Sequence, residues 1–365
     1  MNRHPSCEQD ITSGTNGFEV RFLYNQPTVM RSVRTVSLFF GVVVTCIFAL
    51  WFTANSSATQ KKYVNAYTDD ETYWIDRIQK EGGFAGYAEF ASSVADLSPK
   101  DQHQKVHYFG GALYEAEGIS AAGVCDAQFS YGCFHEFLGR AILAEGLSSM
   151  QVLDDACFAG GVPHSLSCQH GIGHGVLAYI GYEKKDLDHA LDECSRLSHM
   201  DSIGGCYGGV FMEFNFRTML ADETVRVVEH GNLRFPCDDL KSDYLNACAF
   251  WQPDWWRFLY QQAGDSKEKI FSKMGLLCDT LESSAQPSCY QGIGNITARE
   301  SNFDARAGAK LCDLTSTQGE YRLLCRSFLA DSLNTGGAGK KGEAAAACED
   351  LPDTMRRACM KYVTE

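Results

Sequence analysis

From about Thr72 onward, apolar residues recur three and four positions apart, the spacing of one buried helical face. Trp74, Ile75 and Ile78 begin the pattern, and Phe134, Phe137, Leu138, Ala141 and Ile142 repeat it clearly. Ahead of this region the chain reads differently. Residues 36–54 form a run of nineteen without a charge, about enough to cross a ~30 Å hydrocarbon core as a helix. Residues 1–35 are polar with scattered Gly, Asn and Pro, and residues 55–70 are polar again. Patterning thus divides the chain into a tail (1–35), a transmembrane anchor (36–54), a stalk (55–70) and a helical domain (71–365).

The cysteines turn the helical pattern into a repeat. Fourteen of the sixteen fall into seven ordered couples: Cys125/Cys133, Cys157/Cys168, Cys194/Cys206, Cys237/Cys248, Cys278/Cys289, Cys312/Cys325 and Cys348/Cys359. The first cysteines of successive couples lie 32 to 43 residues apart, a period typical of paired-helix arrays. An acid often follows the first cysteine, as in Cys278-Asp279, and a glycine often stands three after the second, as in Cys168 and Gly171. Each unit is expected to be one helix ending at the first cysteine, a short loop, and a second helix opening at the next. A disulfide would staple each loop, worth about 3 kcal/mol in the chain-entropy model. His107 to Glu117 resembles a second helix without cysteines, suited to an N-terminal capping unit. The predicted fold is all-α: a disulfide-stapled paired-helix (αα) repeat array, open solenoid or closed toroid, behind one N-terminal transmembrane helix. Pro253, inside the aromatic stretch Phe250 to Trp256, is expected to delay or kink its helix.

Disulfides of this kind require an oxidising compartment. Arg31 and Arg34 precede the apolar run and Lys61 and Lys62 follow it, so loop charge alone orients the anchor weakly. The cysteine couples decide the direction: residues 1–35 cytosolic, and the C-terminal domain lumenal, periplasmic or extracellular. The expected protein is single-pass and membrane-anchored. A net charge of −14 without a basic stripe excludes nonspecific nucleic-acid binding. Asn55 and Asn295 open triplets of the glycosylation-acceptor type. No P-loop, dinucleotide fingerprint or nucleophile elbow occurs.

The chemical signal lies in the histidines. Six of ten fall between residues 103 and 174. Aligning the starts of the second helices puts His107, His135 and His170 at one equivalent position, and equivalent positions in a solenoid stack side by side. His174 stands one turn after His170, and His103 one turn before His107; this spacing sets two ring nitrogens on one helical face, as in helices that offer two ligands to one metal. The metal-ligand set read from the sequence is His107, His135, His170 and His174. Glu136 is the first candidate for a general base, and Glu213 for a further ligand or base. Imidazole-rich ligation suits a transition metal (Zn, Cu, Fe or Ni) without choosing among them. Gly171, Gly173, Gly175, Gly208 and Gly209 have two readings: close helix packing beneath a disulfide, the commoner reason, or bare backbone left for a ligand.

Two functions follow. One is a membrane-anchored extracytoplasmic metal-binding protein, whose enzymatic forms would use a metal-bound water or a redox metal. The other is a noncatalytic repeat scaffold binding a protein or glycan on a concave face. Asp254 among tryptophans adds a glycosidase variant, which needs a second carboxylate at about 5 to 9.5 Å.

Overall fold

The computed structural model describes residues 69–126, 128–159, 165–220, 226, 231–335 and 341–364, all within one compact unit, Ala66–Glu365. The tail, the anchor and nearly all of the stalk lie outside the described residues. Among the described residues no helix is long and apolar enough to cross a membrane, and none is in a strand. The chain is all-helical there.

The helices are α1 (Asp69–Glu81), α2 (Gly83–Ser93), α3 (Pro99–Glu117), α4 (Gly132–Glu145), α5 (Met150–Phe158), α6 (Ser165–Ile180), α7 (Lys184–Cys194) and α8 (Gly205–Leu220). They continue as α9 (Ser242–Gln262), α10 (Lys267–Cys278), α11 (Gln286–Glu300), α12 (Ala305–Asp313), α13 (Gly319–Thr335) and α14 (Asp353–Thr364). The starts and stops follow from local chemistry. Ser98 caps α3 by accepting from Asp101 N at 3.2 Å, with Pro99 at the first helical position. Glu183 and Asp186 form a reciprocal capping box on α7. Gly118 and Gly146 close α3 and α4 with φ of 67° and 77°, a left-handed turn that a side chain would strain.

All seven couples are disulfide-bonded, with Cα–Cα distances from 5.5 Å in Cys125–Cys133 to 5.8 Å in Cys348–Cys359, within the usual bridging range. The second cysteine lies in a helix in every couple. The first lies in a helix in α5, α7, α10 and α12, but Cys125, Cys237 and Cys348 sit at or beside 3₁₀ turns. Helices α3, α4, α6, α8, α9, α11, α13 and α14 pack in that order, each on the next; α5, α7, α10 and α12 lie against the helix that follows each of them. The predicted apolar face of α4 is core: Phe134, Phe137, Leu138, Ala141 and Ile142 are fully buried.

Two expectations about α9 are corrected. The helix starts at Ser242 and runs through Pro253, so the proline does not delay it. Asp254 is no free carboxylate: it is buried and ion-paired to Arg257 at 2.8 Å and Arg299 at 2.7 Å. Asn295, half-buried within α11, accepts from Ser332 Oγ at 3.1 Å, and Thr297 is fully buried. That triplet is therefore not presented to solvent as an acceptor loop; Asn55 lies outside the described residues.

The glycines of α6 and α8 bring two backbones together. A Cβ on Gly171 would stand 2.7 Å from the Phe134 carbonyl oxygen, and one on Gly173 2.7 Å from Val210 N. One on Gly209 would overlap the His170 carbonyl oxygen and lie 2.9 Å from its carbon. These positions serve close helix packing. A Cβ on Gly208 would stand 2.9 Å from the Ile203 carbonyl oxygen and 3.1 Å from both His170 Nδ1 and Trp251 Nε1.

Candidate metal centre

Glycine-mediated contact between neighbouring helices sets the spacing of the imidazoles. α3 carries His103 and His107, α4 carries His135, α6 carries His170 and His174, and α8 adds Met212 and Glu213. The rings form a continuous chain across these elements. Centroids are 5.5 Å apart for His107 and His135, 5.6 Å for His135 and His170, and 4.8 Å for His135 and His174. Two groups that could hold a metal ion result, His103/His107/His135 and His135/His170/His174. Within each, the candidate ligand atoms lie within 4.8 Å of one another. His135 belongs to both.

Hydrogen bonds turn the ring nitrogens inward. His174 Nδ1 is 2.9 Å from Glu213 Oε2, and the other carboxylate oxygen accepts from Tyr182 Oη at 2.6 Å. An ionised carboxylate only accepts, so Nδ1 carries the proton and Nε2 faces His170 Nε2 at 3.2 Å. The arrangement has the form of a carboxylate–histidine pair that orients a metal ligand. The other group has a parallel device. His103 Nδ1 donates to the Phe129 carbonyl at 2.7 Å, and its Nε2 lies 3.2 Å from His107 Nε2.

Electrostatics favour neutral rings. Burial, helped by the neighbouring imidazoles, pushes His107 down to about 3 and holds His135 well below the usual range. His170 is likewise well below it, through burial first and the neighbouring His174 second. His103 is lowered by burial, with the Arg299 guanidinium and His174 adding to the effect. For Glu213, burial acts upward, but the His174 hydrogen bond and charge, Tyr182 and Arg217 hold it below the ordinary carboxylate value. Neutral imidazoles beside an ionised carboxylate are the protonation states that bind a cation. The five imidazoles all retain some accessible surface.

Of the residues singled out from the sequence, His107, His135, His170, His174 and Glu213 come together. Glu136 is engaged elsewhere: its Oε1 accepts from Arg140 Nε at 2.7 Å, and the same arginine reaches Glu71 at 2.7 Å. The sequence reading left His103 out of the ligand set, although its one-turn spacing from His107 matches that of His170 and His174. It also missed Met212, whose Sδ lies 3.2 Å from His170 Nε2. The available signal was register: Met212 follows Cys206 by the interval at which His174 follows Cys168.

No protein-family model matches the chain, and neither the curated proteins nor the solved structures contain a match.

Proposed function

We propose that this chain is a metal-binding protein whose centre is the chain of imidazoles from His103 to His174. The observation that carries the reading is the pair His170/His174, with their Nε2 atoms 3.2 Å apart and His174 held from behind by Glu213. Two imidazole nitrogens at this separation on neighbouring turns of one helix match the spacing by which a helix offers two ligands to one metal. His135 completes a three-nitrogen set on that side, and His103, His107 and His135 form a second. In this reading Glu213 orients His174 and raises its basicity. Glu136 belongs to the Arg140 ion-pair network. A bound ion would supply Lewis acidity or electron transfer.

The wider architecture is part of the same proposal. The couples mark an αα-repeat ectodomain, and its disulfides point to an oxidising compartment, consistent with anchoring by residues 36–54.

The test is elemental analysis of the tag-free protein, wild type beside His170→Ala/His174→Ala. Transition metal near one equivalent or more in wild type, reduced in the double variant, is the expected result. A folded wild type that carries no metal and takes up none when it is added would remove this function and leave a repeat scaffold for protein or glycan binding.

A further inference from the structure

We infer that the ion held by the His135/His170/His174 group is copper, bound as Cu(I) with the Met212 thioether as an additional ligand. The inference rests on the metal-binding reading above and names the ion that one of the two groups selects.

Two other possible ligand atoms stand beside His170 Nε2. His174 donates its Nδ1–H to Glu213, which turns its Nε2 toward His170. One turn earlier on the same helix, His170 presents its own Nε2. That Nε2 lies 3.2 Å from His174 Nε2 and 3.2 Å from Met212 Sδ. A thioether sulfur is a weak hydrogen-bond acceptor and carries no proton. A single proton on His170 Nε2 can serve only one of these two neighbours fully, and both 3.2 Å separations are also those of ligands around a single ion. The position of Met212 follows from the repeat, since it occupies on α8 the place that His174 occupies on α6.

The donor set narrows the ion. Thioether with imidazole is a soft combination that suits Cu(I), whereas zinc sites draw on thiolate, imidazole and carboxylate. Hard cations need oxygen ligands, and both Glu213 oxygens are already committed, to His174 and to Tyr182. The His103/His107/His135 group has imidazoles alone and lacks this bias. The two groups should differ in which metal they prefer.

The experiment uses the full-length chain without a metal-affinity tag, in a Cys7→Ser/Cys46→Ser background so that neither cysteine outside the seven disulfides supplies a thiolate. Cu(I) is kept reduced with ascorbate under argon, because thiol reductants would attack the disulfides. Affinity is read by competition with a chromophoric Cu(I) chelator, and Zn(II) affinity with a zinc dye, for wild type and Met212→Leu. The expected result is Cu(I) binding that weakens about tenfold in the variant, roughly 1.4 kcal/mol, with Zn(II) binding unchanged. X-ray absorption at the copper edge of the wild-type background should also show sulfur scattering, a readout that does not depend on how the variant folds. Cu(I) bound through nitrogen alone, or a variant whose Cu(I) affinity is unchanged, would overturn the assignment and leave the metal-binding reading standing. A wild type that binds neither Cu(I) nor Zn(II) would take both down together.

Discussion

The packing of α6 on α8 makes a prediction in which one type of substitution acts with opposite signs at two sites. Gly209 and Gly139 both lie inside helices, so replacing either by alanine removes the same conformational freedom and adds the same methyl group. A Cβ on Gly209 would overlap the His170 carbonyl oxygen, stand 2.9 Å from its carbon and 3.0 Å from Gly173 Cα. Carbon atoms need about 3.5 Å or more for favourable contact, and these neighbours are backbone that no rotamer change can move aside. The two helices must separate by roughly half an ångström to an ångström, with an overpacking cost of about 1–3 kcal/mol or more. A Cβ on Gly139 meets nothing within 4 Å, so Gly139→Ala should stabilise by about 0.5–1 kcal/mol through helix propensity. Urea unfolding followed by circular dichroism, with disulfides intact, measures both. Because the displaced helices carry His170, His174 and Met212, Gly209→Ala should also weaken metal binding while Gly139→Ala leaves it intact. Equal shifts in the two variants, or an unchanged Gly209→Ala protein, would refute the claim that direct backbone contact sets the spacing of the centre.

Other consequences can be checked with standard variants. Glu213→Gln should lower metal affinity about 10- to 100-fold by weakening the hold on His174, read by competition titration, with the unmetallated protein still folded. Replacing Cys194 and Cys206 by alanine should cost about 3 kcal/mol in urea unfolding, because it frees a short loop in the denatured chain; a negligible loss would count against the staple. Asp254→Asn leaves two guanidinium groups beside a buried amide and should cost about 3 kcal/mol near neutral pH. Burial alone would raise the Asp254 carboxyl, but Arg299 and Arg257 hold it below its ordinary value. Its stabilisation is therefore complete above about pH 4 and is lost as pH falls through the lower folded value. The gap between wild type and Asp254→Asn should narrow on acidification, and a constant gap would contradict the ion-pair account.

The helical class and the disulfide pairing could be read from the sequence because both are local signals. Cys278 and Cys289 flank one loop, and the apolar spacing from Phe134 to Ile142 needs no knowledge of distant residues. Register was enough to align His107, His135 and His170. Details that depend on other helices were harder to read. Glu136 lies next to His135 in sequence, yet its partner is decided by Arg140 one turn on and by Glu71 on α1. Met212 drew no attention in the sequence because the atom it meets, His170 Nε2, belongs to the preceding long helix. Pro253 was expected to delay or kink its helix, yet the helix starts at Ser242 and runs on through it to Gln262, with Trp255 and Trp256 buried just beyond.

Each disulfide joins a cysteine to the next one along the chain, at separations of 8 to 13 residues. Fourteen cysteines drawn at random could pair in on the order of a hundred thousand ways, yet here the correct partner is always the first one synthesised after its mate. A chain emerging from its N-terminal end can thus close each bridge before the next couple exists. Loop-closure entropy favours the same choice, by about 0.6 kcal/mol for each doubling of the loop that a wrong pairing would enclose. Order of synthesis, rather than repeated reshuffling of wrong bonds, is then sufficient to select one connectivity.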